Sequence, residues 1–493
     1  MALNNSRARS LHAKPSKEAA KQLARVITAL MLLVDILAIA FLVITPGNAV
    51  LRIVLGIVVL GATGELIRNA NKLEGGYGLY LAGSKRGIGA INKLASHCRR
   101  AWLFAADMGL AMGLGLFSYK LLKHRKVAFI SGIALVLLIV FFVFPNLGVV
   151  LDFIPSISGR VSEAAVTAHA SAGAAIDSLA LYSMMLLASL IGGFALLTVS
   201  LLLFSGASII YAITTAVSTS NYSTLSNQIP GVFPVIPGIT IPLFAGIISL
   251  AMLLVAHEFS HGVLARIAKV KIKSVGAVLF GIIPFGAFVE PDEHEVSKRS
   301  KEQQNRIFIA GVTANIFLSL FFFVLMFFVV DFVLANISTN GVTVTAVVEG
   351  TPASNVLSAG TTLLKWNNYT ITNQYALADI ESAYKGGVVQ LLTSKGMLNI
   401  KPLPDGELGI LIKPAVTGAA YSFAYFLFSV FALSFALNFF VAIFNLLPMP
   451  GFDGWRIYKN EIRSKRVLNA LLGIVILAIL LNVLPWFWYF STA

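Results

Sequence analysis

The chain has 493 residues, of which 57% are hydrophobic and only 12% are charged. Soluble domains carry about a quarter of charged residues, so this composition excludes an ordinary soluble protein and predicts one that crosses a lipid bilayer several times. The formal net charge of +15 does not indicate a nucleic-acid partner, because the basic residues form short clusters beside apolar runs, where they contact anionic lipid. The single cysteine, Cys98, excludes an intrachain disulfide, so any metal ligands are His, Asp or Glu.

Eight segments are long and apolar enough to cross a bilayer, whose hydrocarbon core of about 30 Å requires roughly 20 helical residues. They lie near 26–45, 50–67, 127–147, 179–213, 239–265, 306–333, 419–447 and 466–488. A ninth candidate, 102–119, is rich in glycine and has basic clusters on both sides, so it is either a further span or a re-entrant or interfacial segment. The sequence therefore predicts an α-helical polytopic membrane protein with about eight or nine transmembrane helices.

The distribution of basic residues predicts the orientation of the chain. The first 25 residues are polar and basic and contain no cleavable signal peptide, which indicates a cytoplasmic tail. Basic clusters also follow the spans 239–265 and 419–447 and precede 306–333, so these three loops are expected together in the cytoplasm. We expect residues 1–238 to form the tail and an accessory transmembrane region of a multi-pass protein in a prokaryotic plasma membrane.

Residues 338–414 interrupt the membrane pattern between the two halves 239–337 and 415–493. The runs GVTVTAVVEG, VVQLLT and GELGILI alternate as strands do, which predicts a small β-rich extramembrane domain. Its opening resembles that of a PDZ domain, GVxVxxVxxGSPA, and the matching residues run from Gly350 to Ala353. The Gly-Asp turn typical of PDZ domains is absent, because Thr361 follows Gly360.

The strongest chemical signal is the segment AHEFSHG, residues 256–262. His257 and His261 are four residues apart and lie on one helix face, so both imidazoles can reach one zinc ion. Glu258 is placed to take a proton from a zinc-bound water. An apolar run leads into the motif, and ionisable groups within such a helix indicate function. The alternative is a set of polar residues that are hydrogen-bonded between packed helices.

A third zinc ligand is expected far downstream, in the segment NLLPMPGFDG, residues 445–454. Asp453 is its only carboxylate, and it lies at the end of an apolar span where an isolated charge is costly. The prolines and glycines of the segment break helical hydrogen bonding and let the backbone turn Asp453 towards the histidines. The alternative is a solvated turn aspartate or a helix cap.

These two motifs together resemble the pattern of the site-2 protease family of intramembrane zinc metalloproteases, HExxH followed by NxxPxxxxDG. The resemblance covers about residues 239–460. It implies that His257, His261 and Asp453 bind Zn²⁺ and that Glu258 is the catalytic base. The implied reaction is hydrolysis of peptide bonds in or near the transmembrane segments of single-span proteins, as in regulated intramembrane proteolysis.

Two further segments resemble elements of the same family. Residues GVTAN, 311–315, match its GxxxN element, which implies that Asn315, like Asn445, holds the substrate backbone. Residues 275–295 fall where family members have a re-entrant hairpin near the active site, and the glycines and proline of this stretch suit an extended loop.

Two other classes of protein remain open from the sequence. A membrane zinc protease of the prenyl-protein type would take a glutamate as third ligand, and Glu290, Glu293 or Glu295 could serve, although the later ExxxD element of that family is not evident. A transporter or a binding protein would use the site only to hold zinc. Glu258 argues for catalysis, because a glutamate at that position is not needed to bind the metal.

Overall fold

The structure is a computed structural model that describes residues 17–44, 49–144, 173–221, 225, 232, 235–238, 240–348, 350–415 and 418–487. Residues 1–16 of the predicted tail and residues 145–147 at the end of a predicted span lie outside the described residues. The described chain is mainly helical, as the composition predicts, and it contains two small β-sheets.

The helices follow the apolar runs of the sequence. The described α-helices longer than five residues are α1 (Lys17–Ile44), α2 (Ala49–Asn71), α3 (Lys85–Ser96), α4 (Arg99–Leu114), α5 (Lys126–Leu138), α6 (Gly173–Thr219), α7 (Leu243–Ile267), α8 (Lys301–Phe328), α9 (Gln374–Ser382), α10 (Ala419–Phe444), α11 (Asp453–Glu461) and α12 (Lys465–Val483). One buried apolar cluster contains side chains from α4, α5, α6, α7, α8 and α10. These helices therefore form the core of the membrane-embedded part.

Eight stretches of the described helices are long and apolar enough to cross a membrane. They are Glu18–Phe41, Arg99–Leu122, Lys126–Val143, Tyr182–Thr219, Leu243–Ile267, Lys301–Asn336, Ala419–Phe444 and Lys465–Phe487. Seven of them coincide with predicted spans, and the remaining one, Arg99–Leu122, contains the undecided ninth candidate. The predicted span 50–67 is also helical, as α2, but α2 carries Arg52, Glu65 and Arg68 and is not among these eight.

After α4 the chain turns back on itself, as the re-entrant alternative for the ninth candidate predicts. The chain turns at Gly115, whose φ of 54° favours glycine, and Arg125 then returns to within 3.4 Å of Asp107 in the middle of α4. Arg100 and Lys123, from the basic clusters on either side of the candidate, line one cavity. Both clusters therefore lie close to each other, at the same end of α4.

A buried ion pair fixes this re-entrant segment against α8. The guanidinium of Arg306 donates two hydrogen bonds to the carboxylate of Asp107, at 2.7 and 2.9 Å, and both side chains are almost wholly buried. At Gly109 the two helices are so close that a β-carbon would overlap the side chain of Thr313. Because a buried arginine without a partner is costly, the pair specifies how α4 sits on α8.

The strands form two separate antiparallel sheets. They are β1 (Gly75–Gly76), β2 (Leu79–Gly83), β3 (Ile272–Phe280), β4 (Ile283–Pro291), β5 (Val342–Val347), β6 (Thr362–Trp366), β7 (Tyr369–Thr370), β8 (Val389–Thr393), β9 (Gly396–Ile400) and β10 (Ile410–Pro414). The first sheet has the order β1-β2-β3-β4, and the second has the order β10-β5-β6-β8-β9 with β7 on β6.

The first sheet links the N-terminal region to the predicted re-entrant hairpin. β3 and β4 form that hairpin, and β2 pairs with β3 along its length. The hydroxyl of Tyr80, on β2, donates a hydrogen bond of 2.9 Å to the carbonyl of Gly281 at the hairpin turn. The pairing of β2 with the hairpin was not predicted from the sequence. The N-terminal region is therefore part of the structure around the hairpin and not a separate appendage.

The second sheet lies wholly within residues 338–414, which were predicted to be β-rich. Alternate residues of its strands form a separate apolar core, including Val342, Val344, Leu363 and Leu391. Helix α9 also packs into this core through Leu377. The alternation of buried and exposed residues along these strands explains why the run GVTVTAVVEG could be recognised as a strand.

We expect the stability of this β-rich unit to depend on pH through Glu381, at the end of α9. Burial, together with Glu407 and Asp405, raises the pKa of Glu381 to about 7. In the unfolded chain the pKa is near 4.5. The raised pKa therefore contributes to the free energy of unfolding fully below that pH, where the carboxyl is protonated, and this contribution is lost as the pH rises through about 7. Glu381→Gln should therefore raise the thermal unfolding temperature at pH 8 and change it little at pH 4.5.

The matched control is Asp379→Asn, an exposed carboxylate on the same helix. It should leave the pH dependence of the purified full-length protein as it is in the wild type. An equal effect of Glu381→Gln at both pH values would show that folding does not raise the pKa of this carboxyl.

Candidate metal centre

Three predicted ligands meet at the centre of the helical core. The Nε2 atoms of His257 and His261, on α7, lie 3.2 Å apart, and each is 3.2 Å from Oδ2 of Asp453. The three atoms thus form a nearly equilateral triangle. The four-residue spacing places both imidazoles on one face of α7, as the sequence predicts.

Asp453 reaches the histidines because the chain turns sharply after α10. The carbonyl of Asn445, which caps α10, accepts a hydrogen bond of 2.7 Å from the backbone N–H of Gly454. A β-carbon on Gly454 would overlap the carbonyl oxygen of Leu446, and Gly451 has a φ of 98°. The glycines are therefore required by the turn that brings Asp453, the first residue of α11, back towards α7.

The geometry of the three atoms fits a tetrahedral zinc ion. Zinc bonds of about 2.0–2.1 Å to nitrogen and oxygen place tetrahedral ligand atoms about 3.3 Å apart, close to the 3.2 Å found between these three atoms. Oδ2 of Asp453 is buried, and no described residue provides a hydrogen bond to it. Two imidazoles and one carboxylate, with one position left open, are a typical ligand set of catalytic zinc.

Both imidazoles are oriented by groups on α8. Nδ1 of His261 lies 2.7 Å from the carbonyl oxygen of Ile307, which holds the proton on Nδ1 and leaves Nε2 free to bind a metal. Nδ1 of His257 lies 3.1 Å from the amide of Asn315, whose Oδ1 is buried and has no hydrogen-bond partner among the described residues. Rotating the side-chain amide of Asn315 by 180° exchanges its nitrogen and oxygen. Oδ1 then accepts a hydrogen bond from a proton on Nδ1 of His257, which leaves Nε2 of His257 free to bind a metal.

Gly311 makes room for the two histidines against α8. A β-carbon at this position would overlap the imidazole of His257 and lie 2.5 Å from Nε2 of His261. Asn315 lies one helical turn further along the same face and contacts His257. The GxxxN element thus combines a gap for two imidazoles with a side chain that orients one of them.

Glu258 is held by the hairpin and does not belong to the ligand triangle. Its Oε2 accepts a hydrogen bond of 3.1 Å from the backbone N–H of Val289, on β4. Because β4 is the last strand of its sheet, this N–H belongs to the free edge of the strand. A backbone donor has no sequence signature, so this contact could not be predicted from the residues.

The two predicted substrate-binding asparagines lie in different environments. Asn315 is wholly inaccessible to solvent and contacts His257. Asn445 is half-buried at the end of α10, and its side chain makes no hydrogen bond to any described residue. Of the two, only Asn445 has an amide available to a peptide.

The three glutamates considered as rival ligands have other partners. Glu290 accepts a hydrogen bond of 2.6 Å from Ser274, and Glu295 accepts one of 2.9 Å from the backbone N–H of Lys271. Glu293 is mostly exposed and lies 3.6 Å from Arg456. Within the described residues, the group that could hold a metal consists of the two histidines and Asp453. The geometry thus favours Asp453 over a glutamate as the third ligand.

Comparison with known proteins agrees with this class of site. Residues 245–482, which include α7, the hairpin, α8, α10 and the loop to Asp453, match the model of peptidase family M50. The apolar helices and this match are both typical of membrane metalloproteases. That region of the chain belongs to family M50, the family of site-2 proteases.

One relative is an uncharacterized protein of the archaeon Methanocaldococcus jannaschii. The two sequences are 28% identical over 238 residues, which cover 46% of this chain and 61% of the relative. The chain therefore spans about six-tenths of the length of this relative. Since the relative is uncharacterized, its name assigns no substrate or partner.

We expect Gly311→Ala to abolish metal binding. The added β-carbon would overlap both imidazoles, and the close packing of helix interiors leaves them little room to move. Zinc bound per mole of purified protein, measured by elemental analysis, should fall from about one to near zero. Gly473→Ala is the matched control, because a β-carbon there meets no atom within 4 Å. Full zinc occupancy in Gly311→Ala would contradict the close seating of the histidines on α8.

Proposed function

We propose that this protein is an intramembrane zinc endopeptidase of the site-2 type, which hydrolyses peptide bonds in or near the transmembrane segments of single-span membrane proteins. The observation that carries the proposal is the triangle of His257, His261 and Asp453 with Glu258 beside it, inside a bundle of apolar helices. Four ionisable groups placed together in such a bundle are costly without a bound cation and a chemical role.

His257, His261 and Asp453 would hold the zinc ion. Bound there, Zn²⁺ supplies Lewis-acid chemistry, because it polarises the scissile carbonyl and lowers the pKa of a water molecule. Glu258 takes a proton from the attacking water and later gives it to the leaving amine nitrogen. The hydrogen bond from Val289 N–H holds one carboxylate oxygen of Glu258, which leaves the other for the proton transfer.

The edge of β4 supports a role in binding the substrate backbone. A transmembrane helix must unwind before it can be cut, and each backbone group freed in hydrocarbon costs several kcal/mol unless it finds a partner. β4 pairs with β3 on one side only, so its other edge offers backbone donors and acceptors to an extended peptide. The amide of Asn445, at the end of α10, is also available to a peptide.

The second sheet supports a PDZ-like assignment for residues 338–414. Its edge strand β10 lies beside helix α9, and a groove between an edge strand and a helix is how PDZ domains bind extended peptides. Gly350, in the resembling run, has a φ of 77°, which explains a glycine at that position. The basic loops remain our reason to propose a cytoplasmic N-terminus.

The catalytic assignment is tested by two variants with opposite effects on zinc. Glu258→Gln should keep the metal, because it leaves all three ligands, and should cut a panel of single-span substrates at least 10³-fold more slowly than the wild type, since it removes the base. Asp453→Ala should lose both zinc and activity. Both are measured on purified protein in lipid, by elemental analysis and by gel-based cleavage. Bound zinc without cleavage of any substrate by the wild type would favour a binding or transport function.

A second pair of variants separates the roles of the two asparagines. Asn315→Ala should weaken zinc binding by about 10- to 100-fold, the usual effect of losing a group that orients a metal-binding histidine. Asn445→Ala should keep zinc and raise KM for a transmembrane peptide, because its amide contacts no ligand. Zinc affinity is measured by competition with a chelating dye. Unchanged zinc affinity in Asn315→Ala, with a raised KM, would instead assign Asn315 to the substrate.

A further inference from the structure

A cavity of about 730 Å³ opens between the re-entrant segment and the start of α5. Its rim carries the basic side chains Arg100, Lys123, Arg125 and Lys126, all of them exposed. It lies far from the metal centre in sequence, and no residue of the proposed zinc site lines it. The rim is therefore a concentration of positive charge that the proposed protease function does not use.

Asp107, the acidic residue among the described residues of the lining, does not neutralise this rim. Asp107 is buried and already accepts two hydrogen bonds from Arg306, from behind the cavity. Arg125 lies 3.4 Å from the same carboxylate and also 3.1 Å from Glu302. The positive charges of Arg100, Lys123 and Lys126 have no acidic partner within the described residues.

The first turn of α5 adds backbone donors to the same cavity. Lys126, Val127 and Ala128 all line it, and Arg125, at the N-cap of α5, makes no side-chain capping hydrogen bond. The N–H groups of a first helical turn have no partner within the helix and favour an anion. The basic rim and the helix start thus provide two independent contributions to binding of a negative group.

Apart from His124, the rest of the described lining is apolar. Leu103 and Phe104, on α4, and Val127 and Ala128, on α5, form it. The side chains of Phe104 and Val127 are 41% and 71% exposed, at the basic end of two helices that are apolar enough to lie in a membrane. A charged rim above apolar walls matches a molecule with an anionic head and a hydrocarbon body.

We propose that this cavity binds an anionic phospholipid, with the phosphate at the basic rim and the first part of the acyl chains against Phe104 and Val127. Basic pockets between membrane helices are suited to acidic lipid headgroups. Free phosphate would use the rim and the helix start but would leave the apolar walls uncovered. The site is independent of the zinc centre, so the proposal holds whether or not the chain cleaves proteins.

The test uses the purified full-length protein in detergent. Short-chain phosphatidylglycerol, short-chain phosphatidylcholine and inorganic phosphate are titrated separately, and the thermal unfolding temperature and lipid adducts in native mass spectrometry are recorded. The variant is Lys123→Gln with Lys126→Gln, which leaves Arg125 in its contact with Asp107. The matched control is Lys401→Gln with Lys413→Gln, two exposed lysines of the β-rich unit.

Phosphatidylglycerol should give a saturable rise in unfolding temperature, with a dissociation constant at least tenfold weaker in the rim variant and unchanged in the control variant. Phosphatidylcholine should give no comparable rise. An equal affinity of phosphatidylglycerol for the rim variant and the wild type would overturn the site. Inorganic phosphate should give no saturable rise in unfolding temperature. If it gave one that was weakened in the rim variant, with the affinity found for phosphatidylglycerol, the lipid assignment would be overturned and the cavity would be a site for free phosphate.

Discussion

The close contact between α7 and α8 at Gly311 is the constraint on which the rest of the structure depends. Two imidazoles on one helix can share a metal only if the neighbouring helix leaves a gap for them, and a β-carbon at Gly311 would fill that gap. The same helix supplies the groups that orient the rings, the carbonyl of Ile307 and the amide of Asn315. A small shift of α8 would disturb all of these contacts together, so the position of α8 determines the ligand geometry.

The accessory region contributes to the site by fixing the elements around it. The re-entrant segment is joined to α8 through the pair Asp107–Arg306, and β2 extends the hairpin whose last strand holds Glu258. Both contacts are made by residues before 238, outside the segment that matches family M50. This arrangement gives the N-terminal region a physical role: it restricts the motion of α8 and of the hairpin relative to α7.

The sequence predicted the parts of the structure that depend on the local pattern of apolar residues and on ionisable side chains in apolar surroundings. Apolar runs predicted the helices, and the charges of His257, His261 and Asp453 in apolar surroundings predicted that these residues would meet. The re-entrant path of 102–119 could not be decided, because length and composition describe a span and a re-entrant segment equally well. The pairing of β2 was not predicted, since strands of two and five residues carry little periodicity. The donor to Glu258 is a backbone N–H, which any residue except proline provides.

In the proposed protease, the hydrogen bond between Glu258 and Val289 would connect substrate binding to the chemical step. If an extended peptide adds to the edge of β4, it forms hydrogen bonds along the strand whose N–H at Val289 orients the base. The peptide would then be positioned relative to Glu258 by the strand itself and not by side chains of its own. Such binding depends on the extended backbone of the peptide more than on its side chains. It follows that the ease with which a transmembrane segment unwinds, more than the residues around the cut, should determine which proteins are cleaved.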